Sequence, residues 1–298
     1  MKDEKVVVPK FVLHVGRHKT GTTSVQHFLA LNEDLLSKKY GILYPRIGRH
    51  KRNNNHHSFF LPFITTGKPI DPTDVSLMME EAVARRCHTV LLSSEVLSRP
   101  NLSDDQLQAI RAVFSGYEVE VIMSLRRQDD FQESRYAERV KKGLIGFSET
   151  IEDIEAESLD YYGFVGRYAA IFGREAITIT SYDRDKREGL LVRFLSILGI
   201  PSFDGFQTRK QSLNARYSWR YIEFIRRVNR YKLGRFIVTQ KAFRVVGSRL
   251  STYLSKWFPR FMNQPKPISA EEKKALFAEY KASNERLENE YLNGERLF

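Results

Sequence analysis

Gly16-Arg17-His18-Lys19-Thr20-Gly21-Thr22-Thr23 gathers two glycines, a lysine and three threonines directly after an apolar run. Glycine lets backbone N–H groups come close to a ligand, the hydroxyls can donate hydrogen bonds, and Lys19 adds a mobile cation. Where such a turn joins a strand to a helix, the helix dipole points its positive end at the same spot, which suits a phosphate or a sulfate. A triphosphatase loop would place lysine and then Ser or Thr directly after the second glycine. Here Thr22 occupies that position and the lysine lies inside the loop, so the cation serves a different phosphate geometry. A strand-to-helix turn with capping threonines is the competing reading, and the lysine argues against it.

Two further positions can do chemistry. Arg126, at the end of the apolar run Val119–Leu125, can grip a phosphate through two parallel N–H groups, unless it and Arg127 merely neutralise Asp129 and Asp130. Glu95 closes the run Thr89–Ser94 and is a candidate general base or, alternatively, a partner for Arg99 or a helix-start acid. His14, His56 and His57 are rival bases that need no tuning at neutral pH. His14 sits on a strand, where burial is the commoner fate. His56 and His57 fall in the polar, unpatterned stretch 46 to 58, which reads as a loop or lid able to touch an acceptor.

These residues need a particular scaffold. Phe11–Val15, Thr89–Ser93, Val119–Leu125 and Ile177–Ser181 read as strands. Helical spacing over Thr22–Leu36, Ser103–Phe114 (Ser103 capping ahead of Gln106), Phe131–Lys142, two stretches within 148 to 173, and Leu190–Leu198 alternates with them. The order predicts an α/β fold, a P-loop-type three-layer sandwich whose mostly parallel sheet is flanked by helices. From about residue 214 the pattern is helical only and ends in a helix over Ala270–Tyr291. A single domain over 1–298 is expected, with the α/β core at about 10–213 and the helical region at about 214–298.

In a parallel sheet the carboxyl ends of the strands share one edge, so Glu95 and Arg126 should arrive beside the loop. On these residues the chain resembles the sulfotransferases that use 3′-phosphoadenosine 5′-phosphosulfate (PAPS), in the form seen in bacterial members. Leu13 to Gln26 is similar to the family's 5′-phosphosulfate loop. Arg126 with Ser134, eight positions on, resembles its 3′-phosphate pair, and Tyr182 resembles the tyrosine at the adenine end. The resemblance implies that Gly16, Arg17, His18, Lys19, Thr20, Gly21, Thr22 and Thr23 hold the donor and that PAP is the product. It also implies that Lys19 stabilises the leaving phosphate by in-line transfer. Glu95 resembles the base of the heparan-type carbohydrate enzymes, which points to a glycan or glycolipid hydroxyl as acceptor. The family's late arginine-lysine-glycine loop has its nearest counterpart at Arg209-Lys210, without the glycine. An ATP- and magnesium-dependent kinase or nucleotidase is the alternative, although no acid other than Glu95 stands where magnesium would need one. No metal site is expected for the sulfotransferase.

Composition bounds the rest. The 298 residues carry a net charge of +12, and twelve bases against one acid, Glu223, fall between Arg216 and Met262. That segment alone carries +11 and interleaves its cations with Phe236, Phe243, Tyr253, Trp257 and Phe258. A membrane surface or an acidic glycan is the expected contact, with nucleic acid a weaker fit, against a plain helical cap with buried aromatics and solvated bases. One cysteine, Cys87, and no apolar run of about 20 residues favour a reducing, cytoplasmic setting, with peripheral contact at the inner membrane face through 216–262.

Overall fold

Alternation of side chains along the first apolar run sends Phe11, Leu13 and Val15 to one face of a sheet and Val12 to the other. In the computed structural model, which describes residues 8–17, 19–144, 159–208, 217–263 and 266–298, this run is β1 (Lys10–Gly16). It is followed by α1 (Thr22–Leu31) and α2 (Glu33–Tyr40). The spacing predicts one helix to Leu36, but Asn32 interrupts it, its side-chain amide donating to the Phe28 carbonyl at 2.8 Å.

The chain continues through β2 (Ile42–Leu43), α3 (His57–Thr66), α4 (Pro72–Ala84) and β3 (Thr89–Ser93). A 3₁₀ turn at Glu95–Ser98 leads to α5 (Asp104–Val113) and β4 (Val119–Leu125). The capping box expected at Ser103 and Gln106 is present in both directions, each bond 3.1 Å. Next come α6 (Gln128–Lys141), α7 (Tyr161–Phe172), β5 (Ile177–Ser181), α8 (Tyr182–Glu188) and α9 (Leu190–Ile197). The remaining helices are α10 (Trp219–Val228), α11 (Lys232–Thr239), α12 (Lys241–Trp257), α13 (Pro259–Met262), α14 (Ala270–Glu279) and α15 (Lys281–Tyr291). The single terminal helix expected over Ala270–Tyr291 is therefore two.

The chain falls into two compact units, Met1–Arg126 with Asp160–Lys210 and Ala282–Phe298, and Arg127–Leu159 with Gln211–Lys281. The first is an α/β sandwich. Its five strands are all parallel in the order β2-β3-β1-β4-β5, with Leu13 opposite Leu92 on one side and Val121 on the other. One face is covered by α1, α2 and α9 and the other by α3, α4, α5, α7 and the carboxyl-terminal residues Leu287 and Leu297. Each fully buried Leu, Val or Phe of these layers contributes about 1.5–3 kcal/mol. Because β1 feeds helices on one face while β3 feeds α5 on the other, their carboxyl ends form a topological switch point, the place where open parallel sheets take their ligands.

The second unit is helical among its described residues. Tyr136 and Val140 of α6 pack with Trp219, Ile222 and Ile225 of α10, Val238 of α11 and Ile268. The Asn229 amide donates to the Val140 carbonyl at 2.9 Å. Among the described residues no helix is long and apolar enough to cross a membrane.

Candidate active site

The loop after β1 is shaped by two glycines with different duties. A Cβ on Gly16 would lie 2.1 Å from Cγ2 of Thr22, so only glycine leaves room for that buried threonine. Gly21 has φ 77° and starts α1, and a Cβ there would meet Leu190 at 2.5 Å and Tyr182 at 3.0 Å. No described side chain caps α1, which leaves its leading N–H groups available to an anion. Lys19 is also left-handed, at φ 70°, a conformation that costs a non-glycine residue about 1 kcal/mol and is found at functional turns. Thr20 Oγ1 donates to the Arg17 carbonyl at 2.7 Å, and the Arg17 N–H donates to Ser124 at 3.2 Å, which ties the loop to β4. Arg17 itself is buried, with its guanidinium 5.3 Å from the Tyr161 ring and 5.1 Å from that of Phe164. His18 lies outside the described residues, as do Arg209 and Lys210.

Three strand ends meet here. Arg126 directly follows β4, and its Nη1 donates to the Lys19 carbonyl at 3.1 Å. Its guanidinium carbon is 5.3 Å from the ring of Tyr182, which begins α8 directly after β5 and lies against Gly21. The buried Nε of Arg126 has no hydrogen-bond partner among the described residues. The backbone under it is fixed by Tyr161, whose hydroxyl donates to the Arg126 carbonyl at 2.6 Å. Spacing alone did not single out Lys186, four residues along α8, whose Nζ is 5.9 Å from the centroid of the same Tyr182 ring; an aromatic followed by a cation at i+4 is the signal it offers.

The competing reading of Arg126 and Arg127 holds for the second of them. Arg127 bonds both oxygens of Asp129, at 2.8 and 2.6 Å. Burial pushes the Asp129 carboxyl up, yet those bonds outweigh it and hold the group below its ordinary value. Ser134 lies on α6 in the second unit and is partly exposed.

Glu95 is where the strand pattern leads, at the first turn after β3. Ser98 Oγ donates to the Gly16 carbonyl at 3.3 Å, so this turn touches the first residue of the loop. The Glu95 N–H donates to Nε2 of His57 at 3.2 Å, which brings two of the candidate bases together.

In the stretch expected to be a loop or lid, His56 is not exposed. It is fully buried, its Nδ1 accepts from the Ser93 N–H at 3.1 Å, and its Nε2 lies 3.0 Å from the Pro45 carbonyl. Burial lowers its pKa to about 3, and with both ring nitrogens engaged it cross-links β3 to the segment after β2. The stretch around it is also held down. Arg46 and Arg49 both pair with Glu33, the latter at 2.5 Å, and Asn54 lies 2.8 Å from His27. His14 is buried too, with a pKa lowered by burial to about 4, and its Nδ1 is 2.9 Å from Ser93 Oγ. Gln26 of α1 donates to that same hydroxyl at 3.1 Å, so a buried polar brace joins β1, β3 and α1 beneath the loop.

No family model and no curated protein matches the chain. Solved structures similar to it include two sulfotransferases. One is a sulfotransferase from Alicyclobacillus acidocaldarius, 15% identical, TM-score 0.42, matched over 69% of this chain and 86% of that one. The other is the sulfotransferase domain from the curacin biosynthetic pathway, 13% identical, TM-score 0.42, over 92% of this chain and 98% of that one. Both are named as sulfotransferases. Both likenesses are remote, and the roles of individual side chains come from their own chemistry.

Proposed function

We propose that the chain is a PAPS-dependent sulfotransferase acting on a hydroxyl acceptor of the glycan or glycolipid class. The observation that carries this reading is the pairing of an uncapped helix start with an adjacent arginine bound to the same loop. The leading N–H groups of α1 suit one phosphate, and the buried Nε of Arg126, which has no acceptor among the described residues, suits a second. Two anion sites on one loop fit a nucleotide with phosphates at both its 5′ and 3′ ends.

PAPS, when bound, supplies a sulfuryl group already activated on a phosphate. Gly16 to Thr23 hold the 5′ end through backbone N–H groups and hydroxyls. Lys19 donates to the phosphate oxygen on which negative charge grows. Arg126 takes the 3′-phosphate, and Ser134 joins this assignment on sequence spacing alone. Tyr182 offers its ring to the nucleotide end. Glu95 takes the proton from the acceptor hydroxyl onto its carboxylate as the oxygen attacks sulfur, and His57, bonded to the Glu95 backbone, orients that turn.

Calorimetry with PAP and with ATP, each in EDTA and in magnesium, combined with transfer of label from PAPS to a panel of glycans and lipids, tests the reading. PAP binding in EDTA and a sulfated product are expected. Magnesium-dependent ATP turnover without PAP binding would replace the reading with a kinase or nucleotidase.

A further inference from the structure

Among the described residues, eighteen large apolar side chains stand exposed, and twelve of them fall on α10 to α13 of the second unit or, for Tyr231 and Phe258, at the junctions between these helices. A surface with no partner does not concentrate them this way. Each of these helices has an inner side. On α12, Gly247 faces Tyr221 of α10, and Ser251 bonds Ser218 at 2.9 Å. On α11, Val238 is buried in the unit's core. The outer sides are apolar as well. On α12, Val246, Leu250, Tyr253 and Trp257 recur at i, i+4, i+7 and i+11, all more than half exposed. On α11, Leu233, Phe236 and Ile237 project in the same manner, and α13 adds Phe261.

Exposed Arg227, Arg249, Lys256 and Arg260 lie among these residues. The segment's sole acid, Glu223, is already paired with Arg226 at 2.8 Å and Arg227 at 3.0 Å, so it does not offset the field of the rest. Apolar side chains with a Tyr and a Trp among them, flanked by arginine and lysine, are the makeup of a surface that enters the boundary between lipid headgroups and acyl chains. A polyanion such as RNA or an acidic glycan would reward the cations and gain nothing from exposed Val246, Leu250, Leu233 and Ile237.

We infer that the outer faces of α11 and α12, with α13, form a docking surface for an anionic lipid bilayer. The surface lies wholly within the second unit and is independent of the transfer reading. The apolar residues enter the interface, and the arginines and lysines meet lipid phosphates, each cation being worth about fivefold in partitioning at low salt.

The chain has two tryptophans, Trp219, which is buried, and Trp257, which is 63% exposed, so a change in emission on binding reports Trp257. The 298-residue protein is mixed with phosphatidylcholine vesicles with and without about one third phosphatidylserine, and pelleting and fluorescence are read together. Expected are pelleting with the anionic vesicles at least about tenfold tighter than with neutral ones, weakening with salt, and a blue shift of Trp257 emission. Arg249→Glu with Lys256→Glu and Arg260→Glu should weaken binding at least about a hundredfold. Val246→Ser with Leu250→Ser should abolish the blue shift, whereas Leu77→Ser with Val83→Ser, on exposed apolar positions of α4, should change nothing. Equal partitioning of the charge-reversed and parent proteins would overturn the inference. So would RNA or heparin binding without vesicle pelleting, or a Trp257 shift that follows protein concentration in the absence of lipid and so reports a second copy of the chain.

Discussion

Arg126 is held on three sides, by a bond to the Lys19 carbonyl, by the Tyr182 ring and through its own carbonyl by Tyr161, whereas Arg249 and Lys256 of α12 stand in solvent. Both regions suit anions, by different physics. The strand-end cluster of the first unit uses a few groups whose positions are set by backbone and buried polar bonds, so each has a duty that its neighbours do not share. The outer surface of the second unit uses many interchangeable groups whose effects add. Removing one residue should therefore be severe in the first region and graded in the second.

The sharpest separation is expected at the reacting groups. Glu95→Gln should lower turnover by about 10²–10⁴ and Lys19→Ala by about 10²–10³, both with PAP affinity changed far less for Glu95→Gln than for Lys19→Ala. Steady-state kinetics alongside calorimetry would measure this, and wild-type turnover in Glu95→Gln would move the base to His57.

A second contrast lies in the brace under the loop. His14 and His56 have folded-state pKa values lowered to about 4 and about 3, against about 6.5 in the unfolded chain, so between those limits the unfolded state binds more protons. Stability is unaffected by them above pH 6.5 and falls as the pH drops below it. Between pH 6.5 and 5 each should cost about 2 kcal/mol, read as a falling urea midpoint. Replacing either with Gln should flatten that slope, and an unchanged slope in both variants would show that the brace is not closed.

The third contrast concerns packing. Gly16→Ala forces Thr22 to move and should destabilise the first unit by about 1–3 kcal/mol, measured by thermal unfolding. Gly67→Ala is the control for close approach, because a Cβ there would meet nothing within 4 Å. Its φ of 71° leaves only the strain of a left-handed alanine, about 1 kcal/mol.

The strands over Thr89–Ser93 and Val119–Leu125 were legible as short, mostly apolar runs bounded by polar turns, and Ile177–Ser181 as β-branched isoleucine alternating with threonine. β2 was not, since two residues are too few to show a period. The glycines and hydroxyls of the loop were readable because they serve backbone geometry, which is local. The fate of His56 was not, because its burial depends on the Ser93 N–H and the Pro45 carbonyl, which sequence leaves distant. The polarity of residues 46 to 58 suggested a lid, but those polar groups are spent on Glu33 and His27, partners on other elements. Cations of 216–262 were countable in advance, whereas the outward position of Trp257 and Phe236 required the helices to be packed first.

Leu287 and Leu297 are buried in the same cluster as Phe11 and Leu13 of β1. A chain emerging from the ribosome at about 5–20 residues per second therefore presents its central strand many seconds before the residues that finish covering it exist. Until then one flank of the sheet lacks part of its cover, and a chaperone that shields apolar surface would find its target there. For this molecule, the closing of the first core waits on residues made long after its central strand.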